Sequence, residues 1–205
     1  RSETALKAYD QGRGFWGDTA ILATGFNYAD ALSISPYAYA HNAPIFLTKA
    51  DGTLDEAVAL AIQEEVAFGR IKHLVVTGGE LVVSDEAIIA AGFDPEDSSE
   101  VVRRGGDNRY QTSHKIADFS LKNGLNFNNV AIATGLNYPD ALAGGAVCGK
   151  LFSVLLLIDD SSAGRYCLDY TLFPLKFLVG EYYYLGGTSA VPQTLRDEIA
   201  TELGF

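Results

Sequence analysis

The chain has 205 residues, 48% of them hydrophobic, with a formal net charge of -11 at neutral pH. This is a globular composition, long enough for one large domain or two of about 100 residues, and it argues against a disordered chain. The acidic balance offers no basic surface to a nucleic acid, and no run of about 18 apolar residues offers membrane insertion. The chain opens on Arg1 with a polar run and no signal segment, so it reads as a fragment of a longer polypeptide with any export signal upstream. Residues 19–23 form a short apolar run ending at a glycine, which predicts a buried strand. A helix is expected over 29–40 and a strand over 44–48. Over 54–68, Leu54, Val58, Ile62 and Val66 recur every four residues and Gly69 follows, which predicts an amphipathic helix. Residues 73–77 read as a strand ending at Gly78-Gly79. Ser84 then caps a helix running toward Ala91. Residues 101–103 read as a further strand, with Arg103–Arg104 as a solvated strand end.

The order then repeats. A helix is expected over 109–122, a strand over 130–133, a helix over 140–150 and a fully apolar strand over 155–158. A helix around 165–172, a strand over 182–185 and a helix over 192–203 complete the chain. Apolar strands separated by helices predict an α/β fold with mostly parallel sheets and helices on both faces, arranged as two tandem three-layer modules.

The tandem arrangement rests on an internal repeat, which is sought by self-similarity at a fixed offset. Residues 23–32 (ATGFNYADAL) recur as 133–142 (ATGLNYPDAL), with eight of ten positions identical at an offset of 110. Gly78-Gly79 recurs as Gly186-Gly187 at an offset of 108, and Arg1-x-x-Thr4 answers Arg109-x-x-Thr112. Three pairs in the same order predict a duplicated domain, with modules at 1–103 and 104–205.

The repeated loops carry the candidate chemistry. Thr24, Gly25, Asn27 and Asp30, and their counterparts Thr134, Gly135, Asn137 and Asp140, stand where a strand ends and a helix begins. In open α/β sheets ligands bind at that edge, and the free N–H groups of a helix start favour an anion. The asparagines can cap the helix or reach a ligand hydroxyl; the aspartates can stabilise the helix dipole or act as acid–base groups. Gly78, Gly79, Gly186 and Gly187 permit close backbone approach, to a ligand or within a tight turn. Asn108 and Arg109 lie in the most polar cluster, 105–110; the Arg109 guanidinium suits phosphate or carboxylate, or pairs with a carboxylate such as Asp140. Signals for catalysis are poor: there is no GxGxxG, GxxxxGK[ST] or GxSxG, and His41, His73 and His114 are not in repeated positions. Cys148 and Cys167 form no CxxC and read as buried free thiols. No cofactor and no metal is expected.

These motifs resemble the cell wall binding repeat 2 family of Gram-positive surface proteins. Its pattern runs G-x-[DN]-R-Y-x-T, A-T-G-x-[ND]-[FY]-x-D-A-L, a-P-I-L-L-T and then G-G. The second copy carries Gly106, Asp107, Asn108, Arg109, Tyr110 and Thr112, then 133–142, Leu155-Leu156-Leu157 and Gly186-Gly187. The first carries 23–32, Ala43-Pro44-Ile45-Phe46-Leu47-Thr48 and Gly78-Gly79, but has Ser2 where the pattern has its tyrosine. The second departs at Phe152-Ser153-Val154, where the pattern has a-P-I. The resemblance implies a non-catalytic, extracellular module that attaches a surface protein to the cell wall by binding an anionic secondary polymer of teichoic type. It also implies repeats in threes, so further repeats of the same chain or of another copy are expected partners. Two other functions fit the bare sequence: an α/β enzyme acting on a sugar or nucleotide through Asp30 and Asp140, and a pure self-assembly scaffold.

Overall fold

The computed structural model describes residues 1–137 and 139–205. The chain divides into two compact units. Unit 1 comprises residues 1–31 and 41–105, and unit 2 comprises residues 32–40 and 106–205.

In unit 1, α1 (Ser2–Gln11) leads into β1 (Thr19–Thr24), and after α2 (Ala29–Ala40) come β2 (Ile45–Thr48), α3 (Glu56–Ala67), β3 (His73–Thr77), α4 (Asp85–Ala90) and β4 (Val101–Arg104). The strands form one parallel sheet in the order β2-β1-β3-β4. All of β1 beyond Thr19 is buried, as expected of an apolar run covered on both faces. One face of the sheet presents Ala20, Leu22, Phe46, Leu74 and Val76 to Val58 and Ile62 of α3 and to Ala87 and Ile88 of α4. Ser84 caps α4 by accepting from the Ala87 N–H at 3.3 Å. The sequence signals find these elements within two residues, except α1, which they miss.

Unit 2 repeats the plan with α5 (Arg109–Lys122), β5 (Asn129–Thr134), α6 (Pro139–Lys150), β6 (Val154–Ile158), β7 (Glu181–Leu185) and α7 (Gln193–Leu203). Its sheet runs β6-β5-β7, again parallel throughout. Even the register is copied. Thr19 pairs with His73 where Asn129 pairs with Glu181, and Ile21 pairs with Ile45 where Ala131 pairs with Leu155. So is the backbone after α2 and α6, where Asn42 and Phe152 both take φ of 51°. Residues 32–40 of α2 belong to unit 2, where the Tyr37 ring lies 5.0 Å from that of Phe119.

The segment expected as a helix over 165–172 is helical over 166–172, but its last five residues, Leu168–Leu172, take π-helical geometry, and a 3-10 turn, Lys176–Leu178, follows. Pro174, with no N–H to donate, stands between the two. Arg165 is held by Glu198 of α7 at 2.5 and 2.9 Å, which fixes the segment from outside.

Candidate functional site

The two TG loops leave their sheets by the same turn. Thr24 Oγ1 accepts from the Phe26 N–H at 3.2 Å, and Thr134 Oγ1 accepts from the Leu136 N–H at 3.2 Å. The Gly25 N–H donates to the Thr48 carbonyl and the Gly135 N–H to the Ile158 carbonyl, so the ladder extends one residue past each strand. Neither glycine has room for a side chain. A Cβ on Gly25 would stand 2.5 Å from the Thr48 carbonyl oxygen, and one on Gly135 would stand 2.4 Å from the Tyr110 ring. Asn27 Oδ1 accepts from the Tyr28 and Ala29 N–H groups at 2.7 and 3.3 Å, which makes it a cap for α2. Asn137 is exposed at the equivalent place, and Tyr138 lies outside the described residues.

Asp30 and Asp140, in the first turns of α2 and α6, reach across to the glycine pairs. A Cβ on Gly78 would be 2.9 Å from Asp30 Oδ2, and one on Gly186 would be 2.3 Å from Asp140 Oδ2. Both glycines have positive φ, +106° and +99°, a conformation that side chains rarely adopt. Gly79 and Gly187 face open space. The four loop segments therefore form the same construction twice: the aspartate beside the first glycine, the second glycine outward.

Four arginines are anchored on this strand-end edge. Arg1 Nη1 donates to the Gly25 carbonyl at 2.6 Å, and Arg109 Nη1 donates to the Gly135 carbonyl. Arg103 donates to the Val83 carbonyl at 2.7 Å and lies 3.4 Å from that of Gly78; its other arm meets Asp85 at 2.7 Å. Arg196 donates to the Val191 and Gly186 carbonyls at 2.9 and 2.8 Å, and its guanidinium lies 4.5 Å from the Tyr184 ring centroid. A neutral carbonyl partner fixes the direction of a guanidinium. The sequence offers Arg109 to a phosphate or carboxylate, or to a side chain such as Asp140; in the structure its Nη1 donates to the Gly135 carbonyl. Arg103 is expected from the sequence to be a solvated strand end, and Arg196 carries no sequence signal. They reach equivalent carbonyls, those of Gly78 and Val83 and of Gly186 and Val191, but come from a strand in unit 1 and a helix in unit 2, so the repeat does not pair them.

The G-x-N-R-Y-x-T segment is built into the module. Asn108 Oδ1 accepts from the Tyr110 and Gln111 N–H groups, both at 3.0 Å, capping α5. Gln111 Oε1 accepts from the Asp107 N–H and Thr112 Oγ1 from the Gly106 N–H. The Tyr110 hydroxyl donates to Asp159, a carboxylate 8% exposed that also accepts from the Ser161 N–H at 2.8 Å. Outside this edge, burial pushes the Cys148 thiol up to about 11 and the Cys167 thiol up to about 12, so both free cysteines are unreactive near neutral pH. Among the described residues no group of three His, Cys, Asp or Glu side chains could hold a metal ion, and no helix is long and apolar enough to cross a membrane.

Two copies of one parallel α/β unit, each presenting the same pair of loops at the strand C-terminal ends, define a tandem repeat module. The chain belongs to the cell wall binding domain 2 (CWB2) family, whose model matches residues 1–88 and again residues 103–196. It is similar to an amidase enhancer of Bacillus subtilis (strain 168), with 28% identity over 186 residues that cover 90% of this chain and 23% of the relative. It is also similar to the N-acetylmuramoyl-L-alanine amidase LytC of the same organism, with 29% identity over 138 residues, 67% of this chain and 25% of that protein. The chain thus spans about a quarter of the curated relatives' length. The solved structures of Cwp6 and Cwp8 from Clostridium difficile share the fold. Cwp6 has a TM-score of 0.77 at 23% identity, over 98% of this chain and 30% of its own; Cwp8 has 0.74 at 22%, over 99% and 32%. The chain is a binding module of the bacterial cell wall or cell surface.

Proposed function

We propose that residues 1–205 hold a surface protein on the cell wall non-covalently, by binding an anionic secondary polymer of teichoic type at the strand-end loops. The observation that carries the reading is the set of arginines on that edge. In a chain of net charge -11, Arg1, Arg109 and Arg196 are oriented by carbonyls of the very glycines that the repeat duplicates. The starts of α2 and α6 add N–H groups to the same edges. Thr24, Gly25, Asn27, Asp30, Gly78 and Gly79 then form one subsite, and Asn108, Arg109, Thr134, Gly135, Asn137, Asp140, Gly186 and Gly187 the other. Two similar subsites on one chain suit a polymer with a repeating charge, since linked weak sites gain avidity without new contacts.

The alternative of an enzyme using Asp30 and Asp140 draws no support from their surroundings. Each carboxylate is packed beside the first glycine of the glycine pair across from it, with no histidine or cysteine among the loop residues. The amidase activity in the name of one relative belongs to a protein of which this chain covers 25%. Co-sedimentation with purified walls tests the proposal. Binding should disappear when the anionic polymer is extracted, and Arg109→Ala should weaken it about tenfold. Equal binding to extracted and intact walls would overturn it.

A further inference from the structure

A cavity of about 590 Å³ opens in unit 1 at the opposite edge of the sheet, below the starts of β1 and β3. It shares no residue with the strand-end loops. Its buried wall is Tyr9, Glu65 and Ile71, and Trp16 is half-buried beside them. The Trp16 and Tyr9 rings are stacked, with centroids 6.2 Å apart and planes 13° from parallel. The Trp16 indole N–H donates to the Tyr9 carbonyl at 2.8 Å, so the indole cannot turn freely. Arg13 and Arg70 stand at the mouth, with side chains half exposed.

The charges here come in pairs. Arg13 meets Asp10 at 3.0 Å, Arg70 meets Glu65, and Lys72 lies 3.7 Å from Asp18. The mouth therefore carries little net charge and does not favour an anion over a neutral ligand. Its ionic lining equally disfavours a purely apolar occupant, because the paired groups would lose their water without replacement hydrogen bonds. What remains is a fixed aromatic surface bordered by oriented donors and acceptors. More aromatic surface lies alongside. Phe15, between the lining residues Gly14 and Trp16, is 80% exposed, and Phe68, beneath the Arg70 guanidinium at 4.5 Å, is 70% exposed. A pyranose ring has the matching chemistry, with an apolar C–H face and a rim of hydroxyls that both donate and accept. The volume falls in the range of about 300–1,000 Å³ usual for small-molecule sites.

We propose that this cavity binds an uncharged pyranose sugar, its face on Trp16 and its hydroxyls on Arg13, Arg70 and Glu65. At the repeat offset of 108, Tyr9, Arg13 and Trp16 correspond to Ala117, Leu121 and Gly124, so the residues that build this cavity are not repeated in the second copy. It is thus a sugar site separate from the duplicated edge and independent of what binds there.

Trp16 is the only tryptophan, so its emission reports on this site alone. The 205-residue chain is titrated with chitobiose and with cellobiose, both neutral disaccharides. A saturable change in emission is expected, half complete in the low millimolar range, roughly 1–10 mM. Arg13→Ala and Phe15→Ala, both at exposed positions, should each raise that midpoint about fivefold, while Arg109→Ala leaves it unchanged. The proposal fails if neither sugar gives saturation by about 50 mM. It fails also if glucuronic acid or glycerol phosphate binds as tightly as the neutral sugars, or if both cavity variants keep the wild-type midpoint.

Discussion

Two adjacent glycines follow β7, and their surroundings differ. Gly186 has φ of +99° and a carboxylate oxygen of Asp140 where a Cβ would go; Gly187 faces open space. Gly186→Ala should therefore destabilise unit 2 by about 1–3 kcal/mol, from backbone strain and the clash together, whereas Gly187→Ala should stay within about 0.5 kcal/mol. Denaturant unfolding of the two variants checks this, and Gly78→Ala against Gly79→Ala repeats the comparison in unit 1. If wall binding falls in Gly187→Ala while its stability is unchanged, the outward glycine lies against ligand. Much of this was legible from the repeat: identical residues at fixed offsets marked both glycine pairs and both aspartates. Their partners were not legible, because contacts such as Tyr110 to Asp159 or Arg196 to Gly186 join residues with no common spacing. Arg103 and Arg196 show why most clearly, since one carbonyl pair is served by arginines from unrelated positions.

The strands were readable because burial on both faces demands unbroken apolar runs, and β6 is buried from Val154 to Ile158. Helix α1 escaped because it buries little. Only Tyr9 of its ten residues is fully buried, so no apolar stripe stands out, although the Arg1-x-x-Thr4 match to α5 pointed to it. Helix α3 was plain from its four-residue spacing, yet its most consequential residue for pH is polar. Glu65, 5% exposed in the last turn, accepts from Arg70 and bonds the Tyr9 hydroxyl; chiefly the Arg70 contact holds its carboxyl below the usual range. A carboxyl depressed in the folded state stabilises the fold above its unfolded value, about 4.3, and that contribution is lost as pH falls through the folded value. Burial, with Glu65 beside it, raises the Tyr9 phenol to about 12, so its contribution is present below about 10 and lost between there and 12. The stability difference between wild type and Glu65→Gln should thus be largest near neutrality and shrink steadily from about pH 5 toward pH 3. Urea midpoints of both proteins across that range measure it. A difference that does not change with pH would mean Glu65 is not the titrating group.

On the scale of the whole chain, the strand-end arginines and the net charge act in opposite senses. The -11 total would repel an anionic polymer at a distance, while in the proposed mechanism Arg1, Arg109 and Arg196 attract it at contact. Salt separates these two because they act over different lengths. The Debye length is about 30 Å at 0.01 M, about 10 Å at 0.1 M and about 3 Å at 1 M. At the lowest salt, repulsion spans an entire module of this size and should hinder approach. Near 0.1–0.15 M that repulsion is largely screened, while guanidinium contacts of about 3 Å survive. Toward 1 M the contacts weaken too. Wall binding by the proposed mechanism should therefore rise and then fall with salt, with a maximum near roughly 0.1–0.2 M. Arg109→Ala should lower the maximum without moving the rising limb, since one charge changes the total little. Replacing surface acids remote from the loops, such as Glu96 and Glu202, by glutamine should flatten the rising limb and leave the falling limb in place. Co-sedimentation across a salt series measures both limbs. Binding indifferent to salt up to about 1 M would remove the charge argument, and the polymer would then have to be recognised through hydroxyl and backbone contacts at the strand ends.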